Sequence, residues 1–172
     1  YTAQLKRTGP FTIRYPRGNG VMIEWKQPLA EIEIGTGRKI RDGEEIALLT
    51  IGHPGNFAVE ACKRLSDEGF YPAHYDMRFV KPLDVELLHE IFSKYRKIIT
   101  VEDAAIQGGF GSAIAEFIID NNYSVQCKRL GIPDRFIEHG EQKELYYECE
   151  FDAAAIMSAV KQLVGEEIMV RE

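Results

Sequence analysis

Hydrophobic and polar positions change period several times along the chain, and each change marks an expected element. Phe11-Thr12-Ile13-Arg14-Tyr15 alternates with period two, which predicts a strand, and Pro16 through Gly20 ends it because proline and glycine stop regular structure. From Val21 to Arg41 the alternation is weak, clearest at Glu31-Ile32-Glu33-Ile34. Asp42-Gly43 then offers a hairpin turn into the apolar run from Glu45 to Ile51, which predicts a buried strand. His53-Pro54-Gly55-Asn56 punctuates the chain and opens a helix with Phe57, Ala58, Ala61, Cys62 and Leu65 on one face, closed by Gly69. The alternation repeats: Tyr71 to Tyr75 as strand, Asp84 to Tyr95 as helix, Lys97 to Val101 as strand, Gly111 to Asn121 as helix, Ser124 to Leu130 as strand. A loop rich in glycine, proline and charge runs to about Gln142, and an Ala-rich helix spans Asp152 to Val164.

Strands taking turns with helices predict an α/β fold in three layers, α/β/α. The sheet is expected to be mostly parallel and five-stranded, with helices on both faces and the strand near Ile34 pairing antiparallel at an edge. The 172 residues suit one main domain. The first 20 residues read as the end of a preceding unit and residues 21–172 as the domain itself, so the chain is expected to be a piece of a longer protein.

Composition narrows the function classes. With 45% hydrophobic and 28% charged residues the chain can bury a continuous core. The net charge of -6 lacks the basic surface that duplex nucleic acid demands. The longest apolar runs, such as Phe117-Ile118-Ile119, fall far short of the roughly 20 residues that cross a bilayer, so no membrane partner is expected and the location expected is the cytoplasm or, after processing, a plastid stroma. The cysteines, Cys62, Cys127 and Cys149, form no C-x-x-C pair and read as reduced thiols. The four histidines are scattered, which gives no metal site, and neither G-x-S-x-G nor a P-loop is present.

In an open parallel sheet, ligands sit beyond the carboxyl ends of the strands. There Asp76-Met77-Arg78-Phe79-Val80-Lys81 puts Arg78 and Lys81 just after one strand, and Tyr15-Pro16-Arg17-Gly18 puts Arg17 after another. A guanidinium is a planar fork suited to phosphate or carboxylate, and two of them can clamp one phosphate. An ion pair between Arg78 and a nearby acid is the competing reading. Glu102-Asp103 precedes Gly108-Gly109-Phe110-Gly111-Ser112 at a helix start, where bare N–H groups can meet an anion. The third glycine of the dinucleotide fingerprint is replaced by Ile114, so tight packing is favoured over cofactor binding. His139, in the loop from Gly131 to Gly140, can act as acid, base or phosphate donor, against the commoner surface role.

The stretches Tyr15-Pro16-Arg17-Gly18-Asn19, Arg78-Phe79-Val80-Lys81-Pro82-Leu83-Asp84, Glu102-Asp103 with the glycine-rich turn, and Gly131-Ile132-Pro133-Asp134-Arg135-Phe136 with Glu138-His139-Gly140 together resemble 1-deoxy-D-xylulose-5-phosphate synthases. The order and spacing agree from about Phe11 to Val164. The resemblance implies a transketolase-type C-terminal domain preceded by the last strand of a pyrimidine-binding domain. It implies an enzyme that condenses pyruvate with glyceraldehyde 3-phosphate and releases carbon dioxide, a transferase whose product feeds isoprenoid, thiamine and pyridoxal synthesis. It implies thiamine diphosphate and Mg2+ in a homodimeric complete enzyme, on N-terminal and pyrimidine-binding domains that these residues lack. No G-D-G triplet occurs, so this chain alone is expected to bind no cofactor and to be inactive, with no catalytic residue of its own. Arg17 and Arg78 match the positions expected to hold the acceptor phosphate, and Lys81 and His139 are candidates for the border of that site.

Two other readings compete: the C-terminal part of a 2-oxoacid dehydrogenase beta subunit or another transketolase-like protein, and a non-catalytic assembly module. The first has no phosphorylated acceptor, so the pair of arginines favours the synthase. The second rests on apolar surface that neighbouring domains would cover.

Overall fold

In a computed structural model the residues described are 1–6, 9–18, 20, 21 and 26–165. The chain forms α1 (Thr2–Lys6), β1 (Arg38–Arg41), β2 (Ile46–Thr50), α2 (Pro54–Asp67), β3 (Ala73–Asp76), α3 (Val85–Lys94), β4 (Lys97–Ala105), α4 (Phe110–Asp120), β5 (Gln126–Ile132), α5 (Gln142–Glu148) and α6 (Ala153–Gly165). The five strands make one sheet in the order β1-β3-β2-β4-β5. The β2–β3, β2–β4 and β4–β5 pairs are parallel, and β1 runs antiparallel to β3 at the edge.

The order explains the layers. The chain steps from β2 to β3 in one direction, then returns past β2 to β4 and β5 in the other. Crossovers of one hand place helices on opposite faces when the direction reverses. Accordingly, α2 and α6 cover one face through Ala58, Ala61, Cys62, Leu65, Ile156 and Val160 against Leu48, Ile99 and Val101. On the other face α3 and α4 bring Leu88, Ile91, Phe92 and Ile114 against Ala47, Leu49, Tyr75 and Ile98. Alternate residues of β2 thus serve two cores, which is why all five of its residues are buried and it reads as a continuous apolar run. The three-layer α/β/α arrangement agrees with the expectation, as do the helices at residues 54–67, 85–94, 110–120 and 153–165. Among the described residues, no helix is long and apolar enough to cross a membrane.

Three local expectations are corrected. Phe11 to Tyr15 forms no strand: among the described residues no strand pairs with its backbone, and Ile13 and Tyr15 stay exposed. Glu31 to Ile34 also forms no strand. The antiparallel edge lies a few residues later, at Arg38–Arg41, because β3 has a free edge there and its Asp76 meets the Arg38 side chain at 3.0 Å. Residues 22–25 of the weakly alternating stretch lie outside the described residues. Asp42-Gly43 does not close a hairpin, since β1 pairs with β3 and not with β2. Gly43 instead permits a close crossing of main chain: a Cβ there would stand 2.0 Å from the Ala73 nitrogen and 2.5 Å from the Tyr71 oxygen. The neighbouring Glu44 N–H donates to that Tyr71 oxygen at 2.9 Å, and the Tyr95 hydroxyl donates to the Gly43 carbonyl at 3.1 Å.

Asp84 shows how one side chain joins two elements. It caps α3 by accepting the Leu87 N–H at 3.0 Å, and its other oxygen accepts the Gly37 N–H at 2.8 Å, fixing the approach to β1.

Gly43→Ala should destabilise the domain by about 1–3 kcal/mol, the usual cost of forcing atoms into packed space, whereas Gly20→Ala, with nothing within 4 Å, should leave the urea midpoint nearly unchanged. Equal midpoints for the two variants would refute the crossing as the reason for Gly43.

Candidate functional site at the carboxyl edge of the sheet

The loops after β2 and β4 leave toward opposite faces, opening a crevice at the carboxyl edge. His53 enters it from the β2 side and Asp103 from β4, with His53 Nδ1 and Asp103 Oδ2 3.5 Å apart. The rings of Phe57 and Tyr146 pack on His53 at centroid distances of 5.6 and 5.1 Å. Burial holds the His53 pKa below its ordinary value; Asp103 opposes this and Arg14 adds to it. His53 stands at the N-cap position of α2, yet its side chain makes no capping hydrogen bond. Its place just beyond a strand was the signal for it. Arg14 carried no such signal, because its segment read as a strand.

The glycine-rich turn resolves clearly. Glu102, at 1% exposure, accepts the N–H groups of Phe110 and Gly111, both at 2.7 Å, so the start of α4 is capped by a carboxylate of its own sheet. A Cβ on Gly109 would stand 2.2 Å from Glu102 Oε2, and one on Gly111 2.6 Å from Thr100 Oγ1. Arg129 on β5 closes the same turn, its Nη1 donating to the Ile106 carbonyl at 2.9 Å and to Ser112 Oγ at 2.8 Å. The glycines serve packing, and the anion they receive is internal.

Arg78 follows β3 with φ 56, its N–H donating to Asp76 Oδ1 at 3.2 Å. Asp76 Oδ2 is taken by Arg38, so the expected alternative, an acid holding the Arg78 side chain, is not realised: its guanidinium has no hydrogen-bond or ion-pair partner among the described residues. Arg17 is exposed, and its carbonyl accepts from Gln142 Nε2 at the first turn of α5. That helix starts where the expected loop ends and fills a stretch for which the sequence pattern predicts no element. Lys81 and His139 are exposed. Among the described residues no hydrogen bond or ion pair joins any two of these four; what they share is a position beyond strand ends or beside α5.

The residues present do not fit thiamine diphosphate. The two amides best placed for a diphosphate oxygen are held by Glu102, and among the described residues no three His, Cys, Asp or Glu side chains are grouped to hold a metal ion. The three cysteines are free thiols, and burial pushes Cys62 and Cys127 up to about 11, which keeps both protonated.

Beside the crevice, Thr50 Oγ1 is hydrogen-bonded to His74 Nε2 at 2.8 Å and lies 3.3 Å from the Tyr75 carbonyl. Burial lowers the His74 pKa to about 4. The unfolded chain therefore binds a proton near pH 6.5 that the folded chain refuses, so stability is present above about pH 6.5 and is lost as pH falls toward 4, by up to about 3 kcal/mol. Denaturation midpoints across this window should fall steeply in the parent and less in His74→Leu. Glu102→Gln, which sets an amide NH2 against a backbone N–H, should cost about 1–3 kcal/mol in the same assay; an unchanged midpoint would refute the capping role.

With this geometry in hand, relatives can be placed. The family model for the transketolase C-terminal domain matches residues 35–156. The chain is 60% identical over 166 residues, 96% of its length, to 1-deoxy-D-xylulose-5-phosphate synthase of Cytophaga hutchinsonii, and 51% identical over 161 residues, 93% of its length, to that of Bacteroides fragilis. It spans about a quarter of the length of these relatives, 26% and 25%. Among solved structures, a split-gene transketolase in the form of an inactive β4 tetramer superposes with a TM-score of 0.70 at 29% identity, over 79% of this chain and 43% of that one. A transketolase from Pichia stipitis shares the fold, with a TM-score of 0.56 at 20% identity over 76% of this chain and 18% of that one. The chain therefore belongs to the transketolase C-terminal domain family, as the domain of that type found in 1-deoxy-D-xylulose-5-phosphate synthases.

Proposed function

We propose that this chain serves as the C-terminal domain of a thiamine diphosphate-dependent 1-deoxy-D-xylulose-5-phosphate synthase and supplies the cations that hold the acceptor phosphate. In this reading pyruvate and glyceraldehyde 3-phosphate give 1-deoxy-D-xylulose 5-phosphate and carbon dioxide. The cofactor and Mg2+ belong to domains outside these residues, in a homodimer of the bacterial cytoplasm. Residues 1–20 are the end of the preceding domain and its linker.

One observation carries the assignment. The Arg78 guanidinium stands at a strand end with its nearest acid already shared between Arg38 and the Arg78 main chain, so its charge is available to a ligand. Arg17, likewise without a side-chain partner among the described residues, supplies the second fork from the loop before the domain. Lys81 and His139, exposed and unpaired among the described residues, border the site. Each charge-assisted contact contributes roughly 1.5–3 kcal/mol. Holding the remote phosphate orients the aldehyde carbonyl toward the reacting carbanion equivalent, which lowers the entropic part of the barrier.

In a complete synthase, Arg17→Ala and Arg78→Ala should each raise the KM for glyceraldehyde 3-phosphate roughly tenfold to a hundredfold and leave the KM for pyruvate near its parent value. With unphosphorylated glyceraldehyde as acceptor, parent and variants should turn over alike. Losses of similar size for both substrates would overturn the assignment.

A further inference from the structure

We infer that Gln142 is a positioning residue for Arg17, an inference that rests on the acceptor-phosphate reading above. The segment from Phe11 to Gly18 has no regular structure, so nothing in its own hydrogen bonding sets the direction of the Arg17 side chain. Its main chain is set from outside. Gln142 Nε2 donates to the Arg17 carbonyl, and Gln142 Oε1 stands 2.6 Å from where a Cβ of Gly18 would be. One amide side chain therefore holds the Arg17 carbonyl by a hydrogen bond and fills the space beside Gly18 that a Cβ would enter. Gly18 has φ +131, a conformation that L side chains rarely adopt, so the backbone there favours glycine.

The grip is useful only if its own support is rigid, and α5 is rigid for reasons unrelated to its seven-residue length. Glu141 and Glu144 form a reciprocal capping box at its start. Tyr146 packs its ring on His53, Phe57 and Phe151 at 5.1, 5.2 and 5.3 Å, which fastens the helix to the core at the crevice. Arg135 Nη2 meets Glu148 Oε1 at 2.9 Å and ties the loop after β5 to the far end of the helix. Three residues before Arg17, Arg14 is close enough to the crevice for its charge to act on His53 and Glu102. A line of contacts thus runs from the core through Tyr146 and Gln142 to the Arg17 main chain. This line gives a role to the stretch from Glu138 to Leu145 that His139 alone does not explain.

The test uses a complete synthase with four variants: Arg17→Ala, Gln142→Ala, Gln142→Glu and the Arg17→Ala/Gln142→Ala double. Gln142→Glu keeps the shape and removes the donated proton. Both Gln142 variants should raise the KM for glyceraldehyde 3-phosphate about three- to tenfold, with the KM for pyruvate and the melting temperature unchanged. The double variant should behave as Arg17→Ala alone, because a misplaced arginine that is already absent cannot be misplaced further. If Arg17→Ala is selective for the phosphorylated acceptor but the Gln142 variants are silent, lower both substrates equally, melt early or add fully in the double, the positioning role is overturned and the phosphate reading stands. If Arg17→Ala is not selective, the phosphate reading itself fails, and the inference with it.

Discussion

The buried Glu102 carboxylate at the start of α4 is the interaction on which the carboxyl edge depends. Taking a carboxylate out of water costs several kcal/mol unless donors replace the solvent, and here Phe110 and Gly111 each supply an amide at 2.7 Å. The pair locks the helix start onto the strand that precedes it. It also demands glycine at 109 and 111, because side chains there would occupy the place of the carboxylate or of Thr100. The consequence for function is direct. The positive helix terminus that many α/β proteins offer to a phosphate is filled by the protein itself, so in the proposed phosphate reading the ligand groups are outer residues, Arg17 and Arg78.

What supports those outer residues is a small set of acids and amides used twice. Asp76 takes the Arg38 side chain with one oxygen and the Arg78 main chain with the other. Asp84 caps α3 and pins Gly37. Gln142 donates to the Arg17 carbonyl from the first turn of α5 while its other amide atom lies in the space a side chain at Gly18 would take. In each case the shared group fixes a loop against a regular element.

The resemblance drawn from the motifs agrees with the relatives because the motifs combine packing and chemistry. In the Arg78-to-Asp84 stretch the arginine is a candidate ligand group, and the aspartate is structural. The glycine-rich turn is wholly structural, and sequence could favour that reading only from its incomplete fingerprint. His53 and Asp103 were visible as residues beyond strands, while their proximity at 3.5 Å depends on how the sheet order reverses at β2.

By itself the sequence determined the alternation of strands and helices, the faces that β2 and its neighbours bury, the turn that packs with glycine, and the family, because hydrophobic period and short motifs are local properties of the chain. Tertiary structure alone decided that the edge strand is Arg38–Arg41 and pairs with β3, that Gly43 marks a crossing of main chain and not a hairpin, that α5 forms before α6, and that Gln142 reaches back 125 residues to Arg17. Each of these turns on which distant group satisfies a backbone or fills a space. A local pattern records that such a partner is needed, and only the folded chain selects which one it is.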